Sequence, residues 1–351
     1  MFDEMWAVNR EQASEREKKS TTEGDSKPLL KYSADDYRGP PRGLRVGLAK
    51  VQKAGEVTTR GWARIVRIVR LREVFAEFLA TFALLTFGNG SIAQAILSRD
   101  RGVEFIENGT TFFNPPLGTE MSINVGYGVG VMIGAYIAIG VTGGHMNPAV
   151  TLAMAIRGKT HWLKVIPYWV AQFLGAFFSS AVVYGTYIDA LDSYTPCPKY
   201  STPCTATIFA TYPQPYLTLG RGVLDQIVGT FLLLLGVFAI TDPDNAGLKK
   251  GIQPVAVGFL LWGIGASFGL NCGYAINPAR DLAPRIFTSL AGWGKEVFVC
   301  AGCSIRHWWW VPIVAPMIGA ILAALFYWLL IDSHHGKSRN ENENAQTVNN
   351  T

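Results

Sequence analysis

The tripeptide Asn-Pro-Ala occurs twice in this chain, at Asn147-Pro148-Ala149 and at Asn277-Pro278-Ala279, and each copy interrupts a long apolar run. Asparagine is a preferred N-cap and proline fits the first helical position, so each copy predicts the start of a helix. A capping asparagine uses its carbonyl oxygen on helix amides and leaves its side-chain N–H₂ free to donate. Two such donors facing one point could bind a passing hydroxyl oxygen, turn its hydrogens away and interrupt a proton wire.

Six other segments are apolar enough to cross a bilayer, which requires about 20 mostly apolar residues. The chain is 49% hydrophobic and 16% charged, and the charges concentrate near its two ends. The helices that begin at the Asn-Pro-Ala copies are only about half as long as a span and cannot cross alone. We therefore expect the backbone next to them to be non-helical and either buried in the protein or lining a water-filled cavity. The spans are placed near 73–97, 121–141, 162–187, 221–241, 252–270 and 309–331, and the half-length helices near 148–157 and 278–288.

The two halves of the chain align on the Asn-Pro-Ala copies. Glu77-Phe-Leu-Ala-Thr-Phe82 opens the first span as Gln226-Ile-Val-Gly-Thr-Phe231 opens the fourth, and Gly128 matches Gly258. Three spans per repeat is an odd number, so the repeats are predicted to insert in opposite orientations, with the half-helices meeting near the midplane. Paired breaks of this kind indicate a permeation site, and each half-helix N-terminus adds about +0.5 elementary charge.

The charge distribution predicts the domain organisation and the orientation. Residues 1–72 are predicted to be a largely disordered cytosolic tail without a cleavable signal, and 332–351 a second cytosolic tail. Between them, 73–331 forms the membrane domain, with repeats at about 73–187 and 221–331. We expect an integral membrane protein of the plasma membrane, with Asn108 as a glycosylation site in an outward loop.

Four of the five cysteines lie in predicted outward loops, where oxidation is possible. The sequence does not decide between disulfides and free thiols, and it gives no pairing. These residues are Cys197, Cys204, Cys300 and Cys303.

Over residues 73–331 the sequence resembles the aquaporin or major intrinsic protein family. The matched Asn-Pro-Ala motifs carry the resemblance, together with the stretch Asn-Pro-Ala-Arg-Asp-Leu-Ala-Pro-Arg that ends at Arg285. The resemblance implies an all-α membrane protein with six transmembrane helices, two re-entrant half-helices and an inverted three-helix repeat, assembled as a homotetramer with one pore per subunit. Five positions look like those of the glycerol-conducting branch, the aquaglyceroporins: Tyr187, Asp281, Arg285, Pro312 and Ile313.

The resemblance also implies a selectivity filter at Tyr127, Gly265, Tyr274 and Arg280. Where water-only channels place a histidine, Gly265 has no side chain, which would widen the pore. Tyr127 and Tyr274 would face the carbon edge of a polyol, while Arg280 would donate to its hydroxyls and repel cations. A desolvated polyol needs replacement hydrogen bonds, and we expect them from the carbonyls of Gly143, Gly144, His145, Gly273, Tyr274 and Ala275.

Four polar positions bear on how the re-entrant segments are supported, and three of them have two interpretations. Glu77 is expected to accept hydrogen bonds from re-entrant backbone, and the alternative is a proton path. Gln226 stands where the family usually has a second glutamate, so weaker support is expected for the second re-entrant segment. His145 is interpreted as a neutral scaffold residue rather than a titrating gate. Asp281 is interpreted as a loop brace rather than a solute contact.

The sequence therefore predicts a passive channel for glycerol, other small neutral polyols and water that excludes protons and ions. A strict water channel is disfavoured by Gly265 and Asp281. A secondary active transporter would need intramembrane carboxylates, and Glu77 is the only clear one in a span. No nucleophile–base pair, metal cluster or phosphate loop stands out, so we expect no enzyme, cofactor, metal or nucleic-acid partner. The expected partners are glycerol, water and the lipid bilayer, and urea stays open.

Overall fold

The computed structural model describes residues 71–100, 103–107, 110–113, 115–245 and 247–334. The predicted N-terminal tail, except for its last two residues, lies outside these ranges. The Asn108 sequon and the C-terminal tail beyond residue 334 also lie outside them. The described residues therefore include nearly all of the predicted membrane domain.

The described part of the membrane domain is built almost entirely from helices. Six long helices occupy the places of the six predicted spans; five are long and apolar enough to cross a membrane, and the sixth, Gln253–Phe268, is apolar but shorter. The helices are, in chain order, α1 (Leu71–Leu97), α2 (Glu120–Ala138), α3 (Pro148–Ile156), α4 (Val165–Ser193), α5 (Leu219–Thr241), α6 (Gln253–Phe268), α7 (Pro278–Thr288), the short α8 (Glu296–Val299) and α9 (Val311–Tyr327).

Several helix ends differ by a few residues from the predicted span limits; α2, for example, ends at Ala138 rather than at 141. Helix α4 continues to Ser193, beyond the predicted end at 187, because Leu191 on the extra turns is buried in the core. Helix α6 ends at Phe268 rather than 270, where Gly269 caps it and the chain turns toward the second Asn-Pro-Ala motif. The span limits thus depend on packing at the membrane boundary, which hydropathy alone does not encode.

The half-length helices α3 and α7 each pack mainly against the other repeat. Helix α3 lies against α9, the last span of the second repeat, and α7 lies against α4, the last span of the first. The two repeats are therefore interlocked, as opposed insertion of an inverted repeat predicts. This arrangement brings the N-termini of α3 and α7 together in the middle of the molecule.

Helices α2 and α6 approach closely at the glycine pair that the repeat alignment had matched. A Cβ atom on Gly128 would lie 2.9 Å from the Gly258 carbonyl oxygen, and one on Gly258 would lie 2.7 Å from the Gly128 carbonyl oxygen. Any larger residue would force these backbones apart. Small residues at such crossings are characteristic of helices packed in a membrane, and this pair sets the spacing of the two repeats.

Beyond the helices, the described residues form two strands and two disulfides, all in loops. Strands β1 (Val103–Glu107) and β2 (Thr110–Phe113) form an antiparallel hairpin within the loop between α1 and α2. Two disulfides answer the pairing question that the sequence left open: Cys197 is joined to Cys204, and Cys300 to Cys303.

The outer faces of the spans carry large apolar side chains. Phe75 and Leu79 on α1, and Leu174 and Phe178 on α4, are each about half exposed. Such a surface would be unfavourable in water, because soluble proteins rarely expose large contiguous apolar patches. The molecule is therefore suited to a lipid surrounding, as expected of an integral membrane protein.

Candidate functional site

The helices α3 and α7 begin at asparagine caps. Asn147 has extended backbone dihedrals, and its Oδ1 accepts a hydrogen bond of 2.8 Å from the Ala149 amide. Asn277 caps α7 in the same way, with Oδ1 3.0 Å from the Ala279 amide and 3.3 Å from the Arg280 amide. Proline follows each cap at the first helical position, where it removes no helical hydrogen bond.

Each capping amide also donates to the opposite repeat. Asn147 Nδ2 donates to the Ile276 carbonyl oxygen at 2.9 Å, and Asn277 Nδ2 donates to the Met146 carbonyl oxygen at 2.9 Å. The expectation of a wholly free N–H₂ is therefore wrong for one hydrogen of each amide, because the two-fold relation places each cap against the other loop. An asparagine amide has two N–H donors, so one remains on each side chain.

The loops before the caps have the same backbone form in both repeats. Gly143, Gly144 and Met146 have positive φ values of 95°, 71° and 53°. Their repeat partners Gly273, Tyr274 and Ile276 have values of 72°, 35° and 41°. Non-glycine residues adopt such angles only where the surroundings hold them, so each loop needs partners outside itself.

Glu77 is the partner of the first re-entrant loop, residues 142–147. Its carboxylate accepts from the His145 amide at 3.0 Å, the Met146 amide at 2.8 Å and the Thr142 hydroxyl at 2.5 Å. Gln172 on α4 donates a fourth hydrogen bond at 2.8 Å. Glu77 is fully buried, and this geometry fits the interpretation of a backbone acceptor rather than a proton path.

Gln226 takes the equivalent position beneath the second re-entrant loop, residues 272–277. Its Oε1 accepts from one loop amide, that of Ile276, at 2.9 Å. Its Nε2 donates to Cys272 Sγ at 3.1 Å, with Asp225 Oδ1 3.4 Å away. The second loop thus receives one amide–acceptor bond where the first receives two, as the substitution of glutamine for glutamate predicts.

Two cavities meet at the centre of the molecule. An inner cavity of about 100 Å³ and an outer cavity of about 550 Å³ share three lining residues, Tyr127, Tyr274 and Arg280. These shared residues mark the constriction between the cavities, and they are three of the four predicted filter residues. Gly265, the fourth, lines the outer cavity.

The inner cavity is lined by both polar and apolar residues. Both capping asparagines line it, as do five of the six residues whose carbonyls the sequence singled out; Gly273 lines the outer cavity instead. The remaining lining is mostly aliphatic, so a solute that enters meets both hydrogen-bonding groups and hydrocarbon. The aliphatic residues include Leu84, Val131, Val150, Leu233, Val257 and Leu261.

The constriction combines two aromatic rings and one guanidinium group. The ring centroids of Tyr127 and Tyr274 are 6.0 Å apart with an interplanar angle of 74°, and Arg280 Cζ lies 5.0 Å from the centre of the Tyr127 ring. Arg280 Nη1 donates to the Phe209 carbonyl oxygen at 3.1 Å, which fixes the side chain. An arginine has five N–H donors, so further donors can reach a solute hydroxyl.

The space at Gly265 is already filled. A Cβ atom there would lie 2.6 Å from Asn124 Oδ1 and 2.7 Å from Tyr274 Cζ. The expectation that the missing side chain leaves the pore open is therefore corrected. The absent side chain makes room for the Tyr274 ring, and the position of that ring then sets the width of the constriction.

Asp281 and Arg285 form a buried ion pair on α7, directly after Arg280 in the chain. Arg285 Nη2 lies 2.8 Å from Asp281 Oδ1, and Asp281 Oδ2 accepts from the amide of Thr211 at 2.8 Å and its hydroxyl at 2.5 Å. Arg285 also donates to the carbonyls of Thr211 and Val297, each at 2.6 Å. The pair braces the loop around Thr211, in agreement with the interpretation of Asp281 as a brace.

The five positions that resemble the aquaglyceroporin branch lie away from the lumen. Tyr187 packs at the edge of the core, Pro312 is buried in the first turn of α9, and Ile313 follows it. Neither cavity is lined by any of the five. Their influence on permeation must therefore be indirect, through the helices and loops that they support.

His145 has polar partners on both ring nitrogens. Nδ1 lies 3.2 Å from the Thr151 hydroxyl, Nε2 lies 3.5 Å from the Thr160 hydroxyl, and the ring meets Tyr168 edge-on. These contacts hold the ring within the scaffold beside the inner cavity.

Sequence reasoning missed several residues that position the site. Asn89 and Asn124 contact the filter tyrosines, Gln172 supports Glu77, and Thr211 supports Asp281. A signal did exist for the asparagines, since polar side chains inside apolar spans are rare and usually functional. The sequence carries no sign of which tyrosine each one contacts.

Comparisons with known proteins agree with this architecture. A family model described as "Major intrinsic protein" matches residues 64–327. Human aquaporin-9 is 46% identical over 266 residues, covering 75% of this chain and 84% of that protein. Human aquaporin-10 is 43% identical over 276 residues, covering 77% and 84%.

A solved structure has the same fold. The crystal structure of the aquaglyceroporin from Plasmodium falciparum superposes with a TM-score of 0.63 at 28% identity, covering 74% of this chain and 96% of that one. The inverted repeat, the paired caps and the family match lead to one conclusion. The chain belongs to the major intrinsic protein family.

Proposed function

We propose that this protein is a passive channel that conducts glycerol, other small neutral polyols and water, and excludes protons and ions. The observation that carries the proposal is the mixed polar and aliphatic lining of the inner cavity. Glycerol carries both hydroxyl groups and a carbon backbone, so each part of it finds a suitable partner in this lining. Relatives and a structural neighbour named as aquaporins and as an aquaglyceroporin support the same function.

The constriction would select solutes by size and by hydrogen bonding. The rings of Tyr127 and Tyr274 face the carbon edge of a polyol, and Arg280 donates to its hydroxyl oxygens. Replacement hydrogen bonds are essential, because a polar group that loses water without a new partner costs about 1–3 kcal/mol. A cation has no carboxylate to meet at this point and is repelled by the guanidinium charge.

Proton exclusion follows from the two capping asparagines. The remaining N–H of Asn147 and that of Asn277 come from opposite repeats toward the inner cavity. A water molecule between them would accept from both and direct its own hydrogens away. The positive ends of α3 and α7 add to the barrier against a proton.

The hydrogen bonding of Glu77 favours passive transport over ion-coupled transport. Its carboxylate has four hydrogen-bond partners within the described residues, two of them backbone amides. A coupling ion would have to displace partners that hold the re-entrant loop. No step of solute passage needs a reaction, so the proposal treats the protein as a channel and not as an enzyme.

Assembly and orientation are part of the proposal. We infer a homotetramer in the plasma membrane, with one pore per subunit, both termini in the cytosol and Asn108 glycosylated on the outside. The two disulfides lie in the loops after α4 and α8, and they support an orientation in which those loops face an oxidising compartment, where disulfides persist.

Stopped-flow light scattering on proteoliposomes tests the function. Glycerol and water gradients are applied side by side, and a pH-sensitive dye inside the vesicles records proton flux under an imposed potential. We expect both solutes to pass at rates that scale with protein content, without a matching proton current. A proton current that scales with protein would contradict the mechanism.

A matched pair of variants localises the flux to the cavity. Val150 lines the inner cavity, whereas Leu174 lies on the exposed outer face of α4. Val150→Trp should abolish glycerol and water permeability, and Leu174→Trp should leave both unchanged. Equal permeability in the two variants would mean that solutes take another route.

A further inference from the structure

Both tyrosine hydroxyls at the constriction are tied to buried asparagines. The Tyr127 hydroxyl donates to Asn89 Oδ1 at 2.8 Å, and the Tyr274 hydroxyl donates to Asn124 Oδ1 at 2.7 Å. Asn89 is fully buried and Asn124 is 5% exposed. Asn89 lines neither cavity, so its bond directs the Tyr127 hydroxyl into the protein and away from the lumen.

Each of these contacts is made possible by a glycine. A Cβ atom on Gly88 would collide with the Tyr127 ring, so the ring lies flat against the backbone of α1 and reaches Asn89. A Cβ atom on Gly265 would collide with Tyr274 Cζ and with Asn124. The two tyrosines are therefore held in the same way: a glycine leaves space for the ring, and an asparagine accepts a hydrogen bond from the hydroxyl.

Stability alone does not explain why residue 89 is an asparagine. Its Nδ2 is buried and has no hydrogen-bond partner among the described residues. An intramembrane polar side chain is unfavourable, and an unsatisfied one more so. A nonpolar residue of similar size would remove that cost, provided that Tyr127 did not need an acceptor. The Tyr127 hydroxyl is the visible reason for an asparagine at this position.

We propose that Asn89 and Asn124 are positioning residues for solute selection: Asn89 holds the Tyr127 hydroxyl outside the lumen, and Asn124 fixes the Tyr274 hydroxyl at the wall of the outer cavity, so that the constriction presents aromatic carbon to the solute. The inference rests on the proposed glycerol and water function. A released hydroxyl would turn toward the lumen to find water, because a buried hydroxyl without an acceptor is unfavourable. It would narrow the passage and place a polar group where the carbon edge of glycerol passes, so glycerol would be slowed more than water.

A double-mutant cycle separates this role from a purely structural one. The variants are Asn89→Leu, Tyr127→Phe and the combination of both, reconstituted at matched protein density. The readout is the ratio of glycerol to water permeability. We expect the ratio to fall about fivefold in Asn89→Leu, and to stay within about twofold of the parent in Tyr127→Phe and in the double variant. A structural defect caused by the introduced leucine side chain would persist in the double variant.

A second cycle and a control keep the test decisive if Asn89→Leu does not assemble. Asn124→Leu with and without Tyr274→Phe should give the same pattern. Ser180→Ala removes a buried hydroxyl that bonds only within α4, and it should leave the ratio unchanged. An unchanged ratio in the asparagine variants, or a low ratio that the phenylalanine change does not restore, overturns the inference. A parent protein without glycerol flux would instead overturn the proposed function.

Discussion

The two re-entrant segments share one backbone form but rely on different buried charges. In the first repeat a carboxylate, Glu77, accepts from two loop amides, and Gln172 links it to Thr151 on α3. In the second repeat Gln226 accepts from one amide. The position equivalent to Thr151 is Asp281, which forms an ion pair with Arg285. The main charged support thus lies beneath the loop in the first repeat and within the half-helix in the second.

This difference shows that an inverted repeat conserves geometry more strictly than it conserves the interactions that maintain it. The positive-φ residues and the caps recur at matched positions, because both loops must turn a half-helix toward the midplane. The acceptors need only satisfy the buried amides, since an unpaired buried donor is unfavourable wherever its partner comes from. The selectivity filter departs from the repeat symmetry altogether, since three of its four residues come from the second repeat.

The largest effect is expected from Arg285→Ala, which removes the charged support of the second half-helix. Asp281 would remain fully buried without its cation, and breaking a buried ion pair costs about 3–5 kcal/mol. The thermal unfolding midpoint of the purified protein should fall steeply. Arg221→Ala, at an exposed arginine on α5, is the control and should change little. A midpoint equal to that of the parent would show that the brace is dispensable.

Gly265→His tests the filter, three of whose four residues come from the second repeat. The new ring would need the space of Tyr274 and Asn124, so it would push the Tyr274 ring toward the lumen. We expect glycerol permeability to fall on the order of a hundredfold, with water much less affected. The measurement is the ratio of the two permeabilities in proteoliposomes.

Gly263→His is the matched control for this prediction. It lies two residues away on α6, and a Cβ atom there would have open space around it. Its permeability ratio should equal that of the parent. If the two histidine variants behave alike, Gly265 does not determine the width of the constriction.

Glu77→Gln places beneath the first re-entrant loop the residue type, glutamine, that supports the second. The side chain would keep one acceptor oxygen but lose a carboxylate oxygen that now binds loop donors, at a cost of about 1–3 kcal/mol. The unfolding midpoint should fall, and glycerol and water permeability should fall together because the first Asn-Pro-Ala loop is displaced. Loss of ion exclusion with an intact midpoint would instead indicate that Glu77 acts on the permeating species.

Gln226→Glu is the reverse exchange, and we do not expect it to strengthen the second loop. A glutamate would lose the donation to Cys272 Sγ, worth about 0.5–1.5 kcal/mol, and would place its charge beside Asp225. The midpoint should fall by less than in Glu77→Gln. A raised midpoint would mean that the second loop had lacked only a better acceptor, and that the neighbouring carboxylate does not matter.

Much of the architecture was determined by local features of the sequence. Apolar runs set the number of spans, and Asn-Pro fixed the starts of α3 and α7 at Pro148 and Pro278. The repeat alignment matched Glu77 with Gln226 and correctly indicated weaker support in the second loop. These inferences succeed because helix capping, hydropathy and amide acceptance depend on residue type and on short sequence spacing.

Tertiary structure alone decided the contacts that join distant segments. The exchange of donors between Asn147 and Asn277 spans about 130 residues of chain. The filling of the space at Gly265 by Tyr274, and the link from Asn89 to Tyr127, likewise depend on how close the helices approach. Sequence lists which groups can donate or accept, but the packing of backbones determines which of them come within about 3 Å of each other, because a hydrogen bond weakens steeply with small displacements.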